Sequence, residues 1–305
     1  MDRVLIVRRL QWRALKGNLD RWRRRLRGRA LEPLLIGRPA LRDVVMRALA
    51  ARGHLVLCEL GDVRFFVDPG DRAIAASLIW QGGHQRREFE RAIEVLCAAG
   101  RLQTGSVFVD VGANIGTHTV YALRAGKFAR AIAFEPEPRN ARLLAMNLDV
   151  NGLSQRAVVV AKAAGAAAGR AMLHLHPRNK GAHAIDFAPA ADGTERIDVP
   201  VVRLEDELRE LGLRAGDIGL IWMDVEGYEP QALEGLGAIL TGAVPIVFEF
   251  SPHRYDAATK ARLVERLAAH YRHLHRLSDL AAQPAAAAPI GALAAIEAAD
   301  DVLVY

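Results

Sequence analysis

Residues 107–135 read VFVDVGANIGTHTVYALRAGKFARAIAFE, and this stretch decides the fold. An apolar run ends in Asp110, a turn carries Gly112 and Gly116, a helical pattern follows, and a second apolar run closes on Glu135. Short apolar runs bounded by glycine turns read as buried strands, and the segment between them has room for one helix. The unit is therefore strand, tight turn, helix, parallel strand. Gly112 permits a turn conformation that a side chain would block, and Gly116 is expected to let the helix start lie close to a ligand. Asp110 and Glu135 then fall at the carboxyl ends of neighbouring strands, where open α/β sheets bind ligands. A carboxylate at the second strand end is placed to accept both hydroxyls of an adenosine ribose.

The turn narrows the choice of nucleoside. A dinucleotide fingerprint needs G-x-G-x-x-G, and a phosphate loop needs G-x-x-x-x-G-K-[ST]. Gly112-Ala113-Asn114-Ile115-Gly116 lacks the middle glycine, and Thr117 rather than a lysine follows it. The turn offers instead a carboxylate, Asp110, near a helix start. That suits a ligand with a positive centre and a carboxylate of its own, and S-adenosylmethionine has both. Its ammonium and sulfonium favour nearby acids, while helix N-terminal N–H groups suit its carboxylate. A nicotinamide cofactor fits less well.

From residue 104 onward, strand and helix patterns alternate. Strands are expected near 106–110, 131–135, 157–162, 219–224, 245–250 and 302–305, and helices near 116–125, 138–149, 203–211, 229–240 and 256–270. That alternation predicts an α/β fold with a mainly parallel sheet and helices on both faces. Arg170 to His176 and Glu195 to Val202 form an additional hairpin, whose loop, with Asn179, Gly181 and His183, is expected to overhang the site. Ala281 to Ala295, rich in alanine and proline, reads as a surface loop or mobile helix. Ahead of this 104–305 domain, residues 38–103 read as a helix over Pro39 to Arg52 and a hairpin of Leu55–Leu60 with Val63–Asp68 around Gly61-Asp62. Two more helices follow, at Arg72–Trp80 and Arg86–Ala99.

Composition sets the frame. The chain has 305 residues, 51% hydrophobic and 25% charged, which fits one large globular domain with appendages. No run of 18 apolar residues occurs, so no membrane-spanning helix is expected. The N-terminus lacks the pattern of a secretory signal, which makes a cytoplasmic location the expectation. Cys58 and Cys97 read as buried thiols in a reducing compartment. The ten histidines, among them His174, His176, His270, His273 and His275, show no metal-ligand spacing.

Charge is concentrated at one end. Residues 1–30 hold ten arginines and one lysine against Asp2 and Asp20, a net +9 in a chain of +6, which leaves −3 for the remainder. Leu5, Trp12, Leu19 and Leu26 recur every seven residues, with Leu15 and Trp22 on a second seam. Residues 1–37 are thus expected to form a basic amphipathic helical arm interrupted by Gly17. Four roles stand open for it: dimerisation, peripheral contact with an anionic inner-membrane surface, nucleic-acid contact, or docking on its own domain.

A second constellation lies at Leu220 to Tyr228, LIWMDVEGY. An apolar strand releases Asp224 and Glu226, Gly227 turns the chain, and Glu229-Pro230 starts a helix. The next strand carries Glu249. Four strand ends in the expected sheet order then carry acids. They favour a cationic cofactor, a metal, or a hydroxyl that must lose its proton.

FVDVGANIGTHT, AFEPEP, VVRLEDEL, WMDVEGYEPQALEG and FEF together resemble the FkbM-type methyltransferases over residues 60–305. The resemblance implies a class I, Rossmann-like seven-stranded fold with a small N-terminal extension. It further implies S-adenosylmethionine-dependent methylation of hydroxyls on glycans or secondary metabolites. It maps Asp110 to Gly116, with Gly112, Asn114 and the following Thr117, onto the cofactor turn, and Glu135 onto the ribose-binding acid. Asp224-Val225-Glu226-Gly227 maps beside the transferred methyl. Trp222 and His118 depart from the family's pattern. An alcohol acceptor sheds a proton as it is methylated, and the candidate bases are Asp224, Glu226, His118 and Glu249, in that order. A divalent ion held by Asp224 and Glu226 stays open. No Pro-Pro-aromatic motif follows the fourth strand and the body is acidic, so no nucleic-acid partner is expected. The intact turn and Glu135 argue against a non-catalytic scaffold.

Overall fold

The computed structural model describes residues 4–8, 39–185, 195–282 and 286–305. It divides into two compact units, residues 1–84 with 178–181, and residues 85–177 with 182–305.

In the first unit, β1 (Val4–Arg8) pairs in parallel with β2 (Leu55–Leu60), and β2 pairs antiparallel with β3 (Val63–Val67) across the turn at Gly61. The strand at Val4–Arg8 corrects the expected arm helix, which included Leu5. Val4-Leu5-Ile6-Val7 is an unbroken apolar run with three β-branched residues, and the edge of β2 offers backbone partners that a helix cannot use. The other heptad residues, Trp12 to Leu26, lie outside the described residues. Helix α1 (Pro39–Ala50) lies where a helix is expected, two residues shorter, with Leu41 and Val44 exposed. The helix expected at Arg72–Trp80 is instead one short α-turn, Ile74–Ala76, running into a π-turn, Ser77–Gln81. Residues 178–181 fold with this unit: Asp71 accepts N–H bonds from Ala73, Ala75 and Lys180, and Arg72 N–H donates to Arg178 C=O.

The second unit is built on an eight-stranded sheet. Its parallel part consists of β4 (Ser106–Val111), β5 (Phe128–Phe134), β6 (Ala157–Val160), β11 (Ile218–Met223) and β12 (Ile246–Phe250). The chain runs outward from β4 to β5 and β6, then returns to β11 and β12 on the other side of β4. The topological switch point therefore lies between β4 and β11. Beyond β12 the sheet turns mixed. β15 (Asp300–Val304) is antiparallel to both β12 and β13 (His273–Arg276), and β14 (Ala288–Pro289) is antiparallel to β13. A seven-stranded sheet is thus corrected to a mixed sheet of eight. The reason is local: β13 is the short polar sequence HLHR and β14 only two residues, so neither carries an apolar run. A second sheet joins β7 (Ala163–Gly165), β8 (Gly169–His174), β9 (Ala184–Ile185) and β10 (Arg196–Arg203), and contains the expected β8–β10 hairpin.

Strand alternation sorts the two faces of the main sheet. Val107, Val109, Val111, Ile221 and Met223 point into a large aliphatic core, closed by Leu204 and Leu208 of helix α5 (Leu204–Glu210). Leu233 and Leu263 join it from α6 (Glu229–Glu234) and α7 (Ala257–Ala268), and Gly237, at φ +49, ends the helical run expected over 229–240. Phe108 and Trp222 point the other way, against Phe89 of helix α2 (Arg86–Ala98). Cys58 is buried as expected, but Cys97 is exposed, because it falls beside the apolar stripe Phe89, Ala92, Ile93 and Leu96 rather than on it. Helix α3 (Thr117–Arg124) joins β4 to β5 and α4 (Pro138–Val150) follows β5, both at the expected positions.

Candidate active site

The strand order places the ends of β12, β11, β4 and β5 side by side, and with them Glu249, Asp224, Asp110 and Glu135. Each acid is then used differently. Asp110 is buried and accepts hydrogen bonds from the hydroxyl and the backbone N–H of Thr119, in the first turn of α3. It fastens the helix start to the strand end. Burial pushes its carboxyl up to about 7, against the lowering effect of those bonds.

Glu135 holds the turn from the other side. Its Oε2 accepts the Asn114 N–H at 2.8 Å and its Oε1 the Glu137 N–H at 2.9 Å. Asn114 can present its N–H because it adopts φ +51, and Asn147 anchors the next residue by donating to the Ile115 carbonyl. Burial raises Glu135 to about 7, with the Glu137 and Asn114 N–H bonds opposing. The Asn140 side chain bonds this carboxylate as well, so three protein donors orient it, and a ligand hydroxyl can add a further bond.

The two glycines serve packing as well as conformation. A Cβ on Gly112 would lie 1.8 Å from the Asp224 carbonyl oxygen, so this glycine lets β4 and β11 close on each other. A Cβ on Gly116 would meet Leu144 of α4 at 2.2 Å. Gly116 therefore also makes room for the following helix. Thr117, the first residue of α3, is buried. His118 is buried too, with its ring stacked on Trp222 at 4.2 Å and facing Phe89 at 6.1 Å.

Across the switch point an acidic group gathers. Oxygens of Asp224, Glu229 and Glu249 lie within 4.8 Å of one another. Asp301 faces Glu249 from β15 in register and accepts a bond from Gln85 at 2.7 Å. Glu226, at φ +55, accepts Arg254 Nη2 at 2.8 Å. Glu249 Oε2 is buried with no hydrogen-bond partner among the described residues. Asp224 is driven well above the usual carboxylate range by burial first, then by the charges of Glu226, Asp301, Glu249 and Glu229. Burial likewise raises Glu229 and Asp301 to about 7. Glu226 is also raised, by burial and Glu249, with Arg254 pulling it down.

Of the expected bases, the fold brings Asp224, Glu226 and Glu249 together and holds His118 in the aromatic layer. Glu229, Asp301, Gln85, Arg254 and Tyr255 had not been anticipated. For Glu229 a signal existed, since an acid three residues after Glu226 sits where a helix starts. Asp301 had none, because only the antiparallel β15 brings it beside Glu249.

The fold and its rim define an α/β protein with a glycine turn at the switch point and carboxylates on both sides of the crevice. Residues 110–277 match the Methyltransferase FkbM domain, and the chain belongs to that family. It is 32% identical over 160 residues to the 31-O-demethyl-FK506 methyltransferase FkbM of Streptomyces tacrolimicus, a match covering 44% of this chain and 61% of that protein. It is 29% identical over 164 residues to the methyltransferase sdnD of Sordaria araneosa, covering 44% of this chain and 62% of the relative. The chain thus spans about three fifths of the length of these curated relatives. A crystal structure of the methyltransferase FkbM from Methylobacillus flagellatus is similar at a TM-score of 0.42 and 17% identity, over 66% of this chain and 44% of that one. Among the described residues, no helix is long and apolar enough to cross a membrane.

Proposed function

We propose that this protein is an S-adenosylmethionine-dependent O-methyltransferase acting on a hydroxyl of a small-molecule or glycan acceptor. The observation that carries the reading is the pairing of two unlike acid sites across one switch point. On one side, Glu135 is already tied to the glycine turn through Asn114 N–H. On the other, Asp224, Glu226 and Glu249 converge at the end of β11 and beside it.

S-adenosylmethionine, when bound, supplies a methyl group activated by its sulfonium. The residues suited to hold it are Glu135, for the ribose hydroxyls, and the turn Gly112, Asn114, Gly116 and Thr117 that leads into α3. Asp110 fixes the position of that helix. Because the donor is already activated, positioning contributes most of the catalysis. The acceptor hydroxyl still loses a proton, and Asp224 takes it in this reading: it stands at the end of β11 with oxygens of Glu229 and Glu249 within 4.8 Å, and burial among these charges raises its carboxyl, which makes the carboxylate a stronger proton acceptor. Glu249 and Glu226 supply hydrogen-bond acceptors for neighbouring hydroxyls, a set suited to a polyhydroxylated acceptor. His118 shapes the wall with Trp222.

Asp224→Asn should leave donor binding in titration calorimetry within about threefold and lower methyl transfer by about 100-fold or more. The assay is tritiated methyl transfer to a panel of hydroxylated macrolides and oligosaccharides. Full activity in the Asn variant removes Asp224 from the reaction, and a wild-type protein that binds no donor removes the proposal. The carboxylates of Asp224 and Glu249 also have a chemistry that hard cations accept, while the oxygens of Glu229 are taken up by protein donors. Loss of turnover in EDTA with recovery on added magnesium would assign them that role.

A further inference from the structure

The loop between β11 and α6 carries Asp224 and Glu226, and its backbone is unusual. Glu226 has φ +55 and Gly227 φ +97, two successive residues in the left-handed region. A residue with a Cβ avoids that region unless its surroundings hold it there. The structure contains one group that does so. Glu229 Oε1 accepts the N–H of Val225 and the N–H of Gly227, both at 3.1 Å, and so brackets Glu226 from either side. Its Oε2 accepts the Tyr255 hydroxyl at 2.9 Å. The side chain is fully buried, and three protein donors occupy its oxygens.

The opposite wall repeats the tie. Arg254, the neighbour of Tyr255, donates to Glu226 itself at 2.8 Å. Tyr255 is braced by the ring of Phe250 at 6.0 Å. The segment after β12 therefore grips the β11 loop twice, once through the Glu226 carboxylate and once through Glu229. We infer that Glu229 is a positioning residue. Through Val225 and Gly227 it fixes the backbone that aims Asp224 and Glu226 into the crevice, and it acts on the reaction only through them.

The inference rests on the methyltransferase reading for its kinetic arm, while a second arm is independent of any activity. Glu229→Ala removes all three contacts. Glu229→Gln keeps them, because its carbonyl oxygen can accept both N–H groups and its amide can donate to the Tyr255 oxygen. Amide hydrogen exchange of the 223–229 segment reads the clamp directly. In Glu229→Ala it should speed up about 30-fold or more, with the 108–119 segment unchanged, and Glu229→Gln should match the wild type.

On the acceptor that the wild type methylates, Glu229→Ala should lower kcat about 30-fold or more, leave the donor dissociation constant within about threefold, and be rescued by Gln. A Gln variant with wild-type exchange but the kcat of the Ala variant would overturn the inference, because the charge itself would then act at the reacting centre. Unchanged exchange or unchanged kcat in Glu229→Ala would overturn it as well. Should that variant not fold, Tyr255→Phe decides: it keeps the ring, removes one contact, and should raise exchange and lower kcat together by several-fold. Failure of the wild type to bind S-adenosylmethionine would count against the proposed function and leave the exchange result to judge the clamp.

Discussion

Gly112→Ala tests how tightly the switch point is closed. The added Cβ would lie 1.8 Å from the Asp224 carbonyl oxygen and 2.8 Å from its carbon, at φ +84. Both obstacles are backbone, so the ends of β4 and β11 must part by more than about 1 Å to restore an ordinary contact. That movement pulls on the Asp224 N–H bond to Val111 C=O, now 2.9 Å long. The left-handed conformation costs about 1–2 kcal/mol for a residue with a side chain, and overpacking about 1–3 more. The sum, about 2–5 kcal/mol, corresponds to a fall in Tm of roughly 4–20 °C for a domain of this size.

Two companion variants separate the terms. Gly126→Ala has φ +70 and nothing within 4 Å of its Cβ, so it carries only the conformational term, about 1 kcal/mol after the gain from a stiffer unfolded chain. Gly116→Ala meets the end of the Leu144 side chain at 2.2 Å, which can swing aside for a further ~1 kcal/mol. Thermal unfolding followed by circular dichroism should therefore rank Gly112→Ala well below Gly116→Ala, and Gly116→Ala below Gly126→Ala. Equal melting of the 112 and 126 variants would refute the claim that the strand ends are closed by backbone contact.

Further outcomes are expected. Glu135→Ala should weaken S-adenosylmethionine binding by about 1–3 kcal/mol in calorimetry, because two ribose hydroxyls lose a charged acceptor; unchanged affinity would remove that assignment. Asp110, Glu135, Glu229 and Asp301 each stand at about 7 in the folded protein, above their ordinary values of 3.8 or 4.5. Between those values the folded state binds the protons that the unfolded chain has released, so this contribution is full below about pH 4 and is lost as pH rises through 7. Every pH unit of that difference retained is worth about 1.4 kcal/mol, and Tm in the absence of ligand should be higher at pH 5.5 than at pH 8. A flat or opposite profile would count against the burial of these acids. Removing residues 1–30 deletes β1 and should increase hydrogen exchange along β2, which loses its parallel partner; unaltered exchange there would contradict the pairing.

The glycine-turn half of the candidate site was legible in the chain because its residues are neighbours in sequence. The glycines of the turn, Asp110, Asn114 and Glu135 lie within one strand–turn–helix–strand unit, and local spacing settles where each of them falls. The partners of the acidic half were not. Asp301 comes from β15, antiparallel to the strand that carries Glu249, and Arg254 and Tyr255 reach back to a loop almost thirty residues earlier. The strand at Val4–Arg8 was hidden for a related reason. A seven-residue spacing of large apolar residues ran over it, and only the presence of the β2 edge decides between helix and strand.

By itself, then, the sequence determined the parallel α/β core, the place of the glycine turn and the row of acids at the strand ends, because strand period, turn chemistry and chain order are local properties. The tertiary structure alone decided what each acid does. Asp110 became a tie for α3, Glu135 a tie for the turn, and Glu229 a clamp on the β11 loop, while Asp224, Glu226 and Glu249 face one another. A carboxylate's role depends on which donors reach it and how far water is excluded, and both are set by elements distant in the chain.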